Sequence, residues 1–223
     1  MSCNRSSQMS ESFLLGGILA VVGGFLDAYT YLLRGGVFAN AQTGNIVLLG
    51  LHFAHFHFGK AFYYLIPISA FIAGVVIVEA VKWKFQKFHF FHWRQGIVAA
   101  EFILLLAAAF IPQGSWDTAV NIAVSFVCAM QVESFRKVNG NAYATTMCTG
   151  NLRSASESFY RYAITKDPVE REKSLRYYGI ILFFIGGAAL GTWMSGLFAE
   201  KAVLFCCGLL GVVFLLMFLE KKD

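Results

Sequence analysis

Asn40-Ala-Gln-Thr-Gly-Asn45 and Thr146-Met-Cys-Thr-Gly-Asn151 lie 106 residues apart in a chain of 223, so the sequence states one polar element twice. Each copy sets glycine and short polar side chains into an apolar landscape. An internal duplication whose polar break recurs at the corresponding place is the pattern of transporter and channel folds built from two related halves.

Composition makes the bilayer the solvent. The chain is 57% hydrophobic and 14% charged with a mean hydropathy of +0.61, more apolar side chain than a soluble domain of this length can bury. Apolar runs cover Ser12–Leu33, Phe62–Val81, Gly96–Ile111, Thr118–Val132, Tyr177–Phe198 and Ala202–Leu219. Most are near the roughly 20 residues a helix needs to span hydrocarbon, which predicts six spans. Pro112-Gln-Gly-Ser-Trp-Asp117 joins the third and fourth as a tight helical hairpin. Only Arg5 precedes the first run, and no small-residue cleavage site follows, so it reads as a retained span and not a signal peptide.

The segments Phe38–His57 and Ala142–Tyr160, which hold the two polar elements, either cross the membrane or dip in and return. Lys and Arg concentrate on the cytoplasmic side of membrane proteins, so their count discriminates. With both segments re-entrant and the amino terminus cytoplasmic, 15 of the 18 Lys and Arg residues fall inside, and only Arg34, Lys60 and Lys201 fall outside. Full crossing removes this asymmetry and strands Arg153 in a span, where a central Arg costs about 3 kcal/mol. The re-entrant reading gives each half three full spans, an odd number, so residues 1–112 and 113–223 form two inverted repeats of one integral membrane domain. Aligning them at 106 places Asp27 on Glu133 and Thr43 on Thr149.

Gly24-Phe-Leu-Asp-Ala28, Gly36-Val-Phe-Ala-Asn40, Thr43-Gly-Asn45, Phe135-Arg-Lys-Val138 and Ala144-Thr-Thr-Met-Cys-Thr-Gly-Asn-Leu-Arg153 resemble the YoaK-like family of bacterial integral membrane proteins over nearly the whole chain. The resemblance implies a cytoplasmic-membrane protein with about six spans and both termini cytoplasmic. It supplies no substrate, catalytic residue or cofactor, because the family is a domain of unknown function.

A half-helix starting within the bilayer exposes backbone N–H groups and the positive end of its dipole. Asn40, Thr43, Asn45, Thr145, Thr146, Thr149 and Asn151 are short polar residues suited to such ends, and Gly44 and Gly150 allow close backbone approach. Two readings stay open: the elements bind solute, or they only satisfy broken backbone. Asp27 and Glu133, with Gln131 nearby, are ionisable or polar groups inside spans and point to ion, proton or solute handling. Their structural alternative is a helix cap or a pairing with Arg34, Arg136 or Arg153. Glu101 is expected near the cytoplasmic interface.

Gly187-Ala-Ala-Leu-Gly191 is a small-xxx-small packing motif, for contact between the halves or between protomers. His52 and His55 sit at i, i+3, but with no third ligand of matching geometry the cluster with His57 reads as an interfacial helix end, and no metal is expected. The five cysteines show no C-x-x-C spacing. Phosphate loops, dinucleotide fingerprints and a nucleophile–base–acid set are missing from the sequence, so no enzyme, cofactor or nucleic-acid partner is expected.

The sequence thus predicts an all-α polytopic protein with six transmembrane helices and two re-entrant half-helices. The favoured function is a secondary transporter or channel for a small polar or ionic solute, its pathway lined by Asp27, Asn40, Thr43, Gly44, Asn45, Gln131, Glu133, Thr145, Thr146, Thr149, Gly150, Asn151 and Arg153. The alternative is a non-transporting scaffold or lipid-interacting protein with a structural polar centre and a basic loop, Arg161–Arg176, that recruits a partner. The bilayer is the expected partner, and a homodimer is considered because so small a bundle must shield its polar segments.

Overall fold

The computed structural model describes residues 12–85, 93–138, 141–142 and 148–218. They form eight α-helices: α1 (Phe13–Leu33), α2 (Gln42–Ala54), α3 (Phe58–Phe85), α4 (Trp93–Ala108), α5 (Asp117–Ser134), α6 (Cys148–Thr165), α7 (Pro168–Phe198) and α8 (Leu204–Phe218). A 3-10 helix (Ala199–Val203) joins α7 to α8, and a two-residue antiparallel ladder pairs Lys137 with Ala142 and Val138 with Asn141.

Local chemistry sets the boundaries. Ser12 caps α1 by accepting the Leu15 N–H at 3.2 Å, and Asp167 caps α7 by accepting that of Val169 at 2.9 Å, with Pro168 in the first turn, where its missing N–H costs nothing. After α1 the chain reverses through Gly35 and Gly36, at φ 80° and 73°, a region that penalises any residue with a Cβ.

Two helices, α1 and α5, anchor the packing. Helix α7 lies along α1 and carries α6; α3 lies along α5 and carries α2; α4 packs on α8 and α5, and α8 on α1. Exchanging α1–α4 for α5–α8 reproduces these pairings. Each half of the sequence thus lends its first helix to the other half's packing. The main core lies between α1, α4, α5 and α8, built from Leu19, Phe25, Leu26, Leu105, Val124, Cys206 and Leu210.

Glycines set the α1–α7 distance. A Cβ on Gly24 would lie 2.0 Å from the Phe184 carbonyl oxygen, and one on Gly187 would lie 2.1 Å from that of Val21. The small-xxx-small motif therefore joins the two halves within one chain. Gly74 serves the α3–α5 crossing in the same way, against Ala129 and Phe126.

Among the described residues, three segments are long and apolar enough to cross a membrane: Phe13–Leu33, Phe58–Lys84 and Pro168–Phe218, the last running through both α7 and α8. The six expected runs each correspond to a helix, but α4 and α8 have 16 and 15 residues, and α5 carries Asn121, Ser125, Gln131 and Glu133 within its 18. Helix α2, at 13 residues, is about 20 Å long, short of the ~30 Å hydrocarbon core. The loop expected over Arg161–Arg176 is mostly helical: α6 runs on to Thr165, Lys166 and Asp167 form the turn, and α7 starts at Pro168.

At one end of the bundle the termini of α1, α3, α4, α5 and α7 meet around a fully buried arginine. The Arg34 guanidinium donates to the carbonyls of Ile111 (2.8 Å) and Pro112 (3.1 Å), to Asp117 Oδ1 (3.0 Å), and twice to the Tyr29 hydroxyl (2.8 and 3.2 Å). Tyr29 passes its own proton to the Glu200 carbonyl at 3.2 Å. The Arg34 carbonyl accepts from Tyr63 and Asn121, at 3.2 and 2.8 Å. At the opposite end, Arg94 at the start of α4 donates to the Ser134 carbonyl at the end of α5.

Candidate functional site

The segment between α1 and α2 runs extended over α1, and α1 side chains satisfy its backbone. Thr30 Oγ1 accepts the Ala39 N–H at 3.3 Å, and Asp27 Oδ1 accepts those of Asn40 (2.9 Å) and Ala41 (3.3 Å). Ala41 precedes α2 and has no side chain able to cap it; what Asp27 fixes is the backbone of Asn40 and Ala41, the two residues that lead into the helix. The residue singled out as an intramembrane acid thus holds the first Thr-Gly-Asn element in place.

Beside Asp27 lies a partly open cavity of about 780 Å³ lined by residues of α1, α2, α3, α5, α6 and α7 and of the segment before α2. Asp27, Asn40 and Thr43 line it from the first half, and Glu133, Thr149 and Gly150 from the second. The lining is paired. Asp27 and Glu133, Gln42 and Cys148, and Thr43 and Thr149 are each 106 residues apart, whereas Phe71 and Phe184, and Val75 and Ala188, are each 113 apart. The change of offset comes from a longer α6, at 18 residues against 13 for α2, and from extra residues at the start of α7 relative to α3. Sequence reasoning missed the aromatic and aliphatic walls: Tyr31, Phe38, Phe71, Val75 and Phe184 look like ordinary span residues until the helices are assembled.

The remaining polar candidates lie elsewhere. Asn45 is fully buried and donates to the Phe38 carbonyl (2.6 Å) and Gln42 Oε1 (3.0 Å), tying the extended segment to α2. Gly44 meets the Phe38 ring. Gln131 reaches across to the Leu19 carbonyl of α1 at 2.9 Å and does not line the cavity. Asn151 is buried under α6, and Arg153 projects from the exposed face of that helix. Thr145 and Thr146 lie outside the described residues, as do Arg5 and the Phe88–His92 stretch.

Glu133 pairs with Arg136 at 3.1 Å, and Arg136 lies 3.7 Å from Glu79, which also holds Lys82 at 2.9 Å. Among the described residues Asp27 takes no arginine, and Arg34 is committed to Asp117. Asn40 is 5% exposed and lines the cavity, yet neither polar atom of its amide meets a hydrogen-bond partner among the described residues. Buried polar groups are normally satisfied, so this amide is free to take a guest.

Glu101 corrects an expectation. It does not reach an interface but is wholly buried in α4, with no partner for either carboxyl oxygen among the described residues. An unmade buried hydrogen bond costs about 1–3 kcal/mol. Glu101→Leu is therefore expected to raise the melting temperature of the purified protein; a fall would show that the carboxyl contributes to the fold.

Near the helix end, His52 stacks on Tyr64 with centroids 5.5 Å apart, and His55 Nδ1 lies 2.8 Å from the Leu51 carbonyl.

Exposed Phe62, Ile72, Val76 and Trp83 on α3, and Leu182, Ile185, Trp193 and Leu197 on α7, make a surface that only a bilayer or another apolar partner can solvate. Together with the three span-length segments, it defines an α-helical membrane protein. The chain belongs to the family described as Protein of unknown function (DUF1275), which matches residues 15–216. It is similar to the UPF0700 transmembrane protein YoaK of Bacillus subtilis (strain 168), with 29% identity over 182 residues that cover 76% of this chain and 78% of the relative. No solved structure matches it.

Proposed function

We propose that this protein is a secondary transporter or channel that carries a small polar or ionic solute across the bacterial cytoplasmic membrane, through the cavity between its two Thr-Gly-Asn elements. The observation that carries this reading is the shared lining: one chamber receives Asp27, Asn40 and Thr43 from one copy and Glu133, Thr149 and Gly150 from the other. A membrane-embedded cavity at the meeting of two repeats is where transporters place their solute.

In this reading the halves 1–112 and 113–223 are inverted, with α2 and α6 re-entering and both termini cytoplasmic. Three observations support it. The packing partners exchange when the halves are exchanged. Arg34 at the end of α1 meets Asp117 at the start of α5, so counterpart helices run in opposite directions. Helix α2 is too short to cross. Because α1 packs on α7 and α5 on α3, the bodies that rock are α1–α6–α7 and α5–α2–α3, each drawn from both halves, with the cavity between them.

The test is flux in proteoliposomes. Purified protein is expected to move at least one member of a broad ion and metabolite panel under a pH gradient, and movement of none would overturn the reading. Asp27→Asn sharpens the test. The substituted amide keeps an oxygen to accept the Asn40 and Ala41 N–H groups while losing the charge, so the melting temperature should hold and flux should fall at least about tenfold. Unchanged flux would leave Asp27 as an anchor for the backbone of Asn40 and Ala41 alone. That outcome favours the second reading, a non-transporting scaffold or lipid-interacting protein, which the backbone contacts of Asp27 support.

A further inference from the structure

The cavity has a sign as well as a size. Among the described residues, the charged members of its lining are Asp27 and Glu133, with no Lys, Arg or His beside them. Glu133 already faces Arg136 at 3.1 Å. Asp27 accepts two backbone N–H groups and faces no cation among the described residues, so its carboxyl is the acidic group in the lining left to meet a charged guest. Two unit charges 4 Å apart at an effective dielectric of about 20 interact by about 4 kcal/mol, enough to decide which sign of guest enters.

The walls say what surrounds that charge. Tyr31, Phe38, Phe71 and Phe184 present aromatic rings, Leu32, Val75 and Val132 add aliphatic surface, and Tyr31 stacks on Phe38 with centroids 4.7 Å apart. Ring faces attract cations, and their burial rewards an apolar body. A bare inorganic ion would leave most of this surface without contact, and about 780 Å³ falls in the range of sites for whole organic molecules. The free amide of Asn40 adds a donor and an acceptor at the polar end.

We propose that the chamber between Asp27, Asn40 and the aromatic walls binds a monovalent organic cation with a bulky apolar body. This names the solute class for the reading above and rests on it. The probes are tetraphenylphosphonium and tetraphenylborate, which share a shape and differ in sign, titrated against the full-length protein in nanodiscs. Tetraphenylphosphonium is expected to bind saturably and at least about tenfold more tightly than tetraphenylborate. It should also protect Cys148, which lines the same chamber, from maleimide in a variant whose other cysteines are replaced. Asp27→Asn should weaken the cation at least about tenfold, and Thr192→Lys, which adds a positive charge on the α7 wall, should abolish the preference for the cation.

Equal binding of both ions, no saturable binding, or indifference to both substitutions would overturn the proposal. If Asp27→Asn does not fold, Thr192→Lys decides alone. Flux of another solute without tetraphenylphosphonium binding would overturn this ligand class and leave transport standing. Saturable, charge-selective binding without any flux would uphold the site and overturn transport.

Discussion

Gly187→Val is expected to unfold the protein, or to lower its melting temperature in detergent by more than any other single glycine substitution on α7. The Gly187 Cα faces the α1 backbone, and a Cβ there would lie 2.1 Å from the Val21 carbonyl oxygen and 2.7 Å from its Cα. The obstacle is main chain, which no rotamer change can clear. Relief requires α1 and α7 to separate, and the crossing is held at three points: Gly24 against Phe184, Gly187 against Val21, and Gly191 against Phe25, with Cβ approaches of 2.0, 2.1 and 2.7 Å. Overpacking a closed core usually costs about 1–3 kcal/mol, and a backbone clash along the longest helix pair stands at or above the top of that range.

The neighbouring position is the control. A Cβ on Gly186 meets nothing within 4 Å, so Gly186→Ala should leave stability unchanged or raise it by about 0.5–1 kcal/mol through helix propensity. Equal losses at 186 and 187 would refute the close-approach account.

Arg34→Met is expected to cost about 3–5 kcal/mol, because removing one partner of a buried ion pair leaves the other partners stranded. The side chain is 0% exposed, and its five bonds hold Tyr29, Ile111, Pro112 and Asp117 together. Without the guanidinium, two carbonyls lose their donor and Asp117, only 18% exposed, keeps a charge without a counter-ion. The double variant Arg34→Met with Asp117→Asn should recover part of the loss, since it removes that charge. Thermal melting of the single and double variants checks both statements, and additive losses would show that the two residues do not act as a pair.

Arg34 also shows where linear reasoning stops. Its position just past an apolar run places it on the outer side, with pairing to Asp27 or Glu133 as the structural alternative, and says nothing of the α4–α5 turn. The structure buries it instead, because the α4–α5 turn supplies two carbonyls and a carboxylate that lie 77 to 83 residues away. Glu101 misleads in the opposite direction: its place near the start of an apolar run predicts an interface, while the packing of α4 between α5 and α8 closes over it.

Sequence alone was enough to establish the membrane as solvent, the helical class and the start of a helix at each Thr-Gly-Asn element. Hydropathy, local composition and internal similarity are properties of neighbouring residues and of spacing, so they survive without coordinates. The tertiary structure alone decided which polar residues face a shared chamber. Asp27, Asn40, Thr43, Glu133 and Thr149 line it, while Asn45 and Gln131, of the same chemical type, are used to bond backbone. A helix periodicity says that residues share a face but not what that face meets. That depends on crossings such as Gly24–Phe184 and Gly187–Val21, where contact between main chains far apart in sequence sets how closely the helices approach and how much space remains between them.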